Sequence, residues 1–389
     1  MKIELKYGCN PHQKPAWLIE PETSPLQILN GTPGYINLLD AFGAWQLVRE
    51  LHRATGKASA ASFKHTSPAG AAVTRPLTKT FKFSQLLADD HLSPVATAYV
   101  RARGGDRMSS YGDAVAVSDK VDVSLAQLLK REVSDLIIAP KFEPDALEIL
   151  KTKKQGRYLI LQIDPDYEAP EMDHRDVFGF TLQQKRNTEA ITAEHFQKIV
   201  TSPQRSISND VIETLLVATI ALKYTQSNSI CVAYEGQVIG MGAGQQSRIH
   251  CTRLACDKAD KWFLQQHPRV LGLEFEVGLT KAEKINLIDQ YLSWNQLSKL
   301  ERADLLTKLK QKPAPLSQEE QLEWLGQFNG ICLSSDAYIP FPDNVNRAAR
   351  SNVQYIAQTG NSLRDAEVTQ AAEKQKITMI HTGYRWFLH

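Results

Sequence analysis

A chain of 389 residues, 42% hydrophobic and 23% charged, has room for two or three domains and a sizeable core, and its composition is neither disordered nor fibrous. Forty-five Lys and Arg against 43 Asp and Glu leave a net charge of +2 with no long run of either sign, so nucleic acid is not the expected partner. Cys9, Cys231, Cys251, Cys256 and Cys332 include no pair three apart, the start MKIELKYGCNPHQ has no signal-peptide core, and no stretch reaches the ~20 apolar residues that span a bilayer; a reducing, cytoplasmic setting without membrane contact is expected.

In chain order, Pro33 and Gly34 open a helix with apolar positions Leu38, Phe42, Trp45, Val48 and Leu51 at spacings of three and four, ending at Gly56. A strand follows in AASFKHTSPAGAAV, residues 60–73, and carries Lys64 and His65 side by side in a small, apolar segment. DAVAVSD, SDLIIAP and YLILQID read as buried strands, separated by helices near 125–131 and 144–154. A long helix over 211–224 leads into SICVAYEGQVIGMGAG, where Glu235 and Gly236 fit a two-residue hairpin loop, and a helix starts near Ser247. Between about 267 and 328 the strand signal vanishes and amphipathic helices take over. The α/β pattern then resumes with ICLSSDAYIPF, a helix over 343–350, the strand VQYIAQ, a helix through Val368 and Ala372, and the strand TMIH. The division expected is 1–195 for one α/β unit, 196–266 with 328–389 for a second, and 267–327 for a helical insertion. No low-complexity tract or short repeat is visible.

Four polar clusters stand out. Neighbours on a strand point to opposite faces, so Lys64 and His65 share a site only if the backbone is irregular, which Pro68 and Gly70 make plausible. A converging lysine charge would favour the neutral imidazole that a general base needs. A lysine at a strand end beside a hydrogen-bonded histidine is the alternative. GMGAGQQSR resembles an anion cradle, although Gly240, Gly242 and Gly244 do not fit G-x-G-x-x-G and a glycine-rich hairpin end explains them as well. KYTQSNS, residues 223–229, is dense in uncharged hydrogen-bonding groups that equally suit caps and turns. RARGGDRMSSYGD, residues 101–113, reads as a solvated loop or a binding loop.

Together KYGCNPHQ, LNGTPGYINLLDA, SFKHTSPAGAAV, RARGGDRMSSYGD, REVSDLIIAP, KYTQSNSICVAYEGQVIGMGAGQQSRIHCTRLA, SSDAYIPFPDN and HTGYRWFLH resemble, in order and over essentially the whole chain, the transformylase half of the AICAR transformylase/IMP cyclohydrolase family. The resemblance implies two cytidine-deaminase-like layered α/β subdomains with a helical insertion in the second. It implies transfer of a formyl group from the co-substrate 10-formyltetrahydrofolate to the 5-amino group of AICAR, in purine (IMP) biosynthesis. The family's cyclohydrolase domain precedes the KYG motif, which begins here at Lys6; a monofunctional enzyme is expected, with a separate IMP cyclohydrolase in the pathway. The resemblance also implies a homodimer with sites across the interface and, in some members, a structural potassium ion.

Residue roles follow from the chemistry and the resemblance together. An aminoimidazole amine is a poor nucleophile, and His65 matches the family histidine that would act as its base. Lys64 matches the adjacent lysine, placed to aid the departing folate nitrogen or the oxyanion. Asn228 matches an asparagine that orients the carboxamide or formyl oxygen. Arg248 resembles a nucleotide-site arginine, Ile36 and Asn37 would line the nucleotide pocket, and Asp135 belongs to the same site. Lys6, Tyr7 and Arg385 would approach the phosphate, while Asp343 and the segment from Tyr338 to Phe341 would flank the folate or carboxamide. Lys6 departs from the usual arginine and loses its two-pronged grip on phosphate; Tyr338 stands where phenylalanine is common. A zinc deaminase would need a C-x-x-C pair that the cysteines do not supply. A non-catalytic nucleotide-binding or scaffold relative is the remaining rival, and retention of Lys64, His65, Asn228, Arg248 and Arg385 argues against it.

Overall fold

The chain begins with a small antiparallel ribbon, β1 (Lys2–Leu5) on β2 (Ala16–Ile19), before β3 (Leu26–Asn30) enters the main sheet. Helix α1 (Tyr35–Thr55) starts where Asn37 Oδ1 accepts the Gly34 amide at 3.2 Å, and stops at Gly56, which takes the left-handed φ of 67° that glycine adopts without penalty. Strands β4 (Ser59–Lys64) and β5 (Ser67–Val73) form a hairpin. After the short α2 (Lys79–Ser84) come α3 (Pro94–Gly105), β6 (Asp113–Val117), α4 (Val123–Arg131), β7 (Ser134–Ala139), α5 (Pro144–Lys151) and β8 (Leu159–Ile163). A separate ribbon, β9 (Met172–Val177) with β10 (Phe180–Lys185), pairs with itself. This computed structural model describes residues 2–87, 91–203 and 206–389.

The order of elements then repeats. Helix α6 (Asn209–Lys223) is followed by the hairpin β11 (Ile230–Tyr234) and β12 (Gln237–Gly242) and by α7 (Arg248–Leu264). The helices α8 (Pro268–Leu271), α9 (Lys281–Leu292), α10 (Lys299–Thr307) and α11 (Gln318–Leu325) come next, several of them around a cluster that includes Leu273, Leu287, Tyr291 and Leu305. Strand β13 (Cys332–Ser335), α12 (Pro342–Arg350), β14 (Tyr355–Gln358), α13 (Asp365–Lys374) and β15 (Thr378–His381) complete the series.

All the large-sheet strands among the described residues join in one sheet of eleven, in the order β15-β14-β13-β11-β12-β5-β4-β6-β7-β8-β3. Each half has an antiparallel hairpin, a second antiparallel neighbour and two parallel additions, with β12 meeting β5 at Gln237 opposite Ala72. Alternation along the strands sorts side chains by face: on β7, Leu136 and Ile138 join Leu47, Val48 and Leu51 of α1 and Leu215 of α6, while Ile137 joins Tyr99 of α3 and Leu125 of α4. The result is a layered α/β protein. Among the described residues no helix is long and apolar enough to cross a membrane.

Two sequence expectations change here. Residues 101–105 of RARGGDRMSSYGD are the last turn of α3, and Arg101, Arg103 and Arg107 point into the protein rather than into a solvated loop. Arg101 donates to the Glu235 carbonyl of the other half's hairpin turn, and Arg107 donates at 2.8 Å to Gln265 beyond α7, so these arginines stitch the halves together. Two of the three glycines of GMGAG serve packing rather than an anion cradle. A Cβ on Gly240 would stand 2.0 Å from the Ala255 carbonyl and one on Gly242 2.2 Å from that of Cys251, so they let α7 lie against β12.

Candidate active site

The hairpin β4–β5 does not carry His65 on a strand. Lys64 pairs with Ser67, and His65 and Thr66 form the two-residue loop between them with φ of 54° and 59°. Two left-handed residues define the turn that suits hairpin twist, yet neither is the glycine or asparagine that adopts it cheaply. Backbone held this way tends to sit at functional sites. The turn also answers the alternation problem, because His65 leaves the sheet while Lys64 still belongs to it. His65 is exposed, and Lys64 Nζ donates to the Tyr111 carbonyl at 2.6 Å.

Beneath the turn lies Asp40, on the first turns of α1 and only 7% exposed, whose Oδ1 accepts the Thr66 amide at 2.6 Å. Burial pushes its carboxyl up; the Thr66 and His65 amides and the His65 ring pull it back. Ile36 and Asn37 stand one turn earlier on the same helix, and Ile36 is exposed. Asp135, at the start of β7, faces Gly112 and Asp40 and is paired with Lys154.

A second cluster adjoins the turn. Gln226 donates its amide to Ser67 Oγ at 3.5 Å and accepts the Gly244 amide at 2.8 Å, which brings KYTQSNS and the glycine loop beside the hairpin. The Asn228 side chain donates to the Gln245 carbonyl at 3.0 Å and receives Arg248 Nη2 on its oxygen at 2.7 Å. Arg248 is buried: Nη1 reaches Ser335 Oγ at 3.0 Å and forms an ion pair with the fully buried Asp336. The other Asp336 oxygen accepts the Ser229 amide at 2.9 Å and its hydroxyl at 3.0 Å. So Arg248 fixes the orientation of Asn228, and its guanidinium is already engaged within the protein. Burial pushes the Cys251 thiol up to about 11, and its Sγ donates to the Asn228 carbonyl at 3.1 Å.

The chain end closes on this cluster. Trp386 is 1% exposed, its amide donates to the Asp336 carbonyl at 2.8 Å, and the Leu388 carbonyl accepts the Ser227 amide at 3.0 Å. Tyr384 stacks on Trp386 with ring centroids 5.4 Å apart. Arg385 between them is exposed and lies over the Phe387 ring at 4.7 Å. Tyr338 and Phe341 are about half exposed, Arg364 covers the Phe341 ring, and exposed Asp343 accepts the Asn344 amide group. Lys6 and Tyr7, 5.8 Å apart as a cation and a ring, lie just beyond β1.

Because Gln237 of β12 lies opposite Ala72 in an antiparallel pair, the far end of β12 falls beside Ser67. Lys64, His65, Asn228, Arg248 and the chain end therefore gather at one end of the sheet. They form an open face. A cavity of about 470 Å³ lies further along α1, floored by Phe42, Trp45 and Ile163, and none of the sequence-predicted site residues lines it. Among the described residues no group of three His, Cys, Asp or Glu side chains is placed to hold a metal ion.

The family model described as the AICARFT/IMPCHase bienzyme matches residues 1–258. The chain belongs to that family. A bifunctional purine biosynthesis protein PurH of Roseobacter denitrificans is 30% identical over 390 residues, which cover 99% of this chain and 59% of the relative. A PurH of Sorangium cellulosum is 30% identical over 393 residues, covering 99% and 58%, and one of Magnetococcus marinus is 29% identical over 393 residues, covering 99% and 59%. The chain thus spans about three-fifths of the length of the curated relatives it matches.

Two residues of this AICARFT/IMPCHase family member carry structural weight at the site that no sequence argument assigned. Asp40 is an acid inside the apolar stripe of α1, and Asp336 follows the buried strand β13 directly. An acid in an apolar context was the available signal for both, since such a group needs a partner.

Proposed function

We propose that this chain transfers a formyl group from 10-formyltetrahydrofolate to the 5-amino group of AICAR, yielding formyl-AICAR and tetrahydrofolate. The observation that carries the reading is the hairpin end where Lys64 closes its strand and His65 leaves the sheet, next to the segment that holds Gln226 and Asn228, in a member of this family. A bond forms between the amine nitrogen and the formyl carbon, and the bond from that carbon to folate N10 breaks. His65 accepts the proton that the amine loses. Lys64 supplies a proton to N10 or stabilises the tetrahedral oxyanion on the way.

Asn228 orients the carboxamide or the formyl oxygen without adding charge, and Arg248 acts through it. Ile36, Asn37 and Asp135 flank the nucleotide, and Lys6, Tyr7 and Arg385 supply the phosphate contacts. Tyr338 and Asp343 stand by the folate or carboxamide. Half-exposed Tyr111, Tyr338, Phe341 and Tyr384 leave the face open, which suits a site completed by ligands and by a second copy of the chain. Cyclisation to IMP is not assigned to these residues, and a structural potassium ion would enter no step of the transfer.

The test is to incubate the purified chain with AICAR and 10-formyltetrahydrofolate and to identify formyl-AICAR by mass. Formation of that product supports the reading; nucleotide binding with no transfer would favour the scaffold role instead.

A further inference from the structure

The helix ahead of each hairpin sends its sixth residue to the turn. In the first half that residue is Asp40 of α1, accepting the Thr66 amide at 2.6 Å; in the second it is Thr214 of α6, accepting the Gly236 amide at 3.1 Å. The duplication therefore contains its own control. A neutral hydroxyl suffices to hold such a turn, and Thr214 satisfies its own proton by donating to the Asp210 carbonyl at 2.8 Å. A carboxylate at 7% exposure is the more costly choice for the same task. The two turns differ in the anchored residue, Thr66 against Gly236, and in the charge of the residue before it, His65 in one and Glu235 in the other.

We propose that Asp40 is a positioning residue for His65: it fixes the turn through the backbone amides, and its negative charge steadies the imidazolium that forms when His65 takes a proton. The inference rests on the reading of His65 as the base. The charged groups facing Asp40 are His65 from the turn and Asp135 from β7, the latter neutralised by Lys154. His65, once it has taken a proton, is therefore the group that a negative charge on Asp40 can act on.

The variants Asp40→Asn and Asp40→Thr separate anchor from charge. Asparagine keeps the acceptor oxygen, threonine copies the second half, and both remove the charge. Folded Asp40→Asn, checked by thermal melt, should lose about 10-fold or more in kcat, with KM for AICAR changed by no more than about 3-fold, since a charge near a general base acts mainly on the proton-transfer step. The acid limb of its activity profile should move to lower pH, because the charged imidazole is less favoured. Asp40→Thr should behave alike if asparagine fails to fold, and Asp40→Ala should lose thermal stability as well. A charge-free variant with kcat within about 2-fold of the parent and an unmoved acid limb would overturn the proposal. If the parent itself transfers no formyl group, the functional reading has failed, and titration of the His65 ring by NMR still decides the question. Earlier proton release in Asp40→Asn supports the pairing, and superimposable titrations refute it.

Discussion

The hairpin β4–β5 turns through His65 and Thr66 and the hairpin β11–β12 through Glu235 and Gly236, all four with positive φ, at 54°, 59°, 48° and 72°. The second has a glycine at its second position, receives Arg101 on the Glu235 carbonyl, and has its Gly236 carbonyl bonded by the Val73 amide at 3.0 Å. Both carbonyls of that turn serve the junction between halves, while the Gly236 amide is held by Thr214 of its own half. The first turn has neither glycine nor such cover; its histidine is exposed, and its backbone is held from below by Asp40. Two copies of one architecture thus divide the work. One turn is a joint, and the other keeps a costly conformation, at about 1–2 kcal/mol for each left-handed non-glycine residue, that presents a basic pair.

The largest way to break this division is at the chain end, which belongs to the second half yet closes the site. Deleting residues 385–389 removes fully buried Trp386 and the backbone bonds to Asp336 and Ser227, so activity should vanish and stability should fall by about 3–5 kcal/mol. The separate change Arg385→Ala touches an exposed side chain. It should leave the melt nearly unchanged and raise KM for AICAR about 10-fold, with a smaller change for the folate, as the loss of a charge-assisted phosphate contact does. Steady-state kinetics beside thermal melts check both. A truncated chain with parental KM would return this tail to an ordinary frayed terminus.

The next test treats the halves as equals. Gly70 lets α3 lie on β5, with an added Cβ 2.0 Å from the Ala102 carbonyl, just as Gly240 lets α7 lie on β12. Alanine at either position should lower stability by about 1–3 kcal/mol in denaturant titration. Similar values would confirm that the duplication extends to helix docking. A neutral result at one glycine would show that the halves are packed differently.

The smallest expected effect distinguishes the halves by pH. Burial depresses His381, at the end of β15, below the usual histidine range, with Asp365 working against it. The unfolded chain then binds the proton more readily than the folded one, so stability is present above the ordinary histidine pKa near 6.5 and is lost as pH falls below it. The β8 end of the first half carries no histidine. Melts between about pH 7 and 5.5 should show a decline that His381→Gln reduces, and an identical slope in the variant would assign the acid sensitivity elsewhere.

Much of this was legible in sequence for reasons that can be named. α1 declares itself by three-and-four spacing and a terminal glycine, and β6, β7 and β8 by short apolar runs between breakers. Glu235–Gly236 looks like a turn because its second residue is glycine. His65–Thr66 does not, and so Lys64 and His65 appeared to share a strand. The end of α3 was illegible because Arg101 and Arg103, like Arg107 just beyond the helix, read as solvent-facing, while each finds an internal partner. Gly240 and Gly242 suggested a phosphate loop, since a sequence does not reveal which helix lies against a strand. The β9–β10 ribbon, exposed on nearly every residue, offers no inside-outside alternation to detect.

The most direct measurement compares His65→Ala with Glu235→Ala in formyl transfer from 10-formyltetrahydrofolate to AICAR, each beside the parent and each checked for an unchanged melt. Loss of the base should lower turnover by ~10²–10⁴ with nucleotide binding retained, whereas the counterpart turn should tolerate its change with turnover close to that of the parent. A His65→Ala protein that turns over like the parent would contradict the claim that this hairpin carries the chemistry.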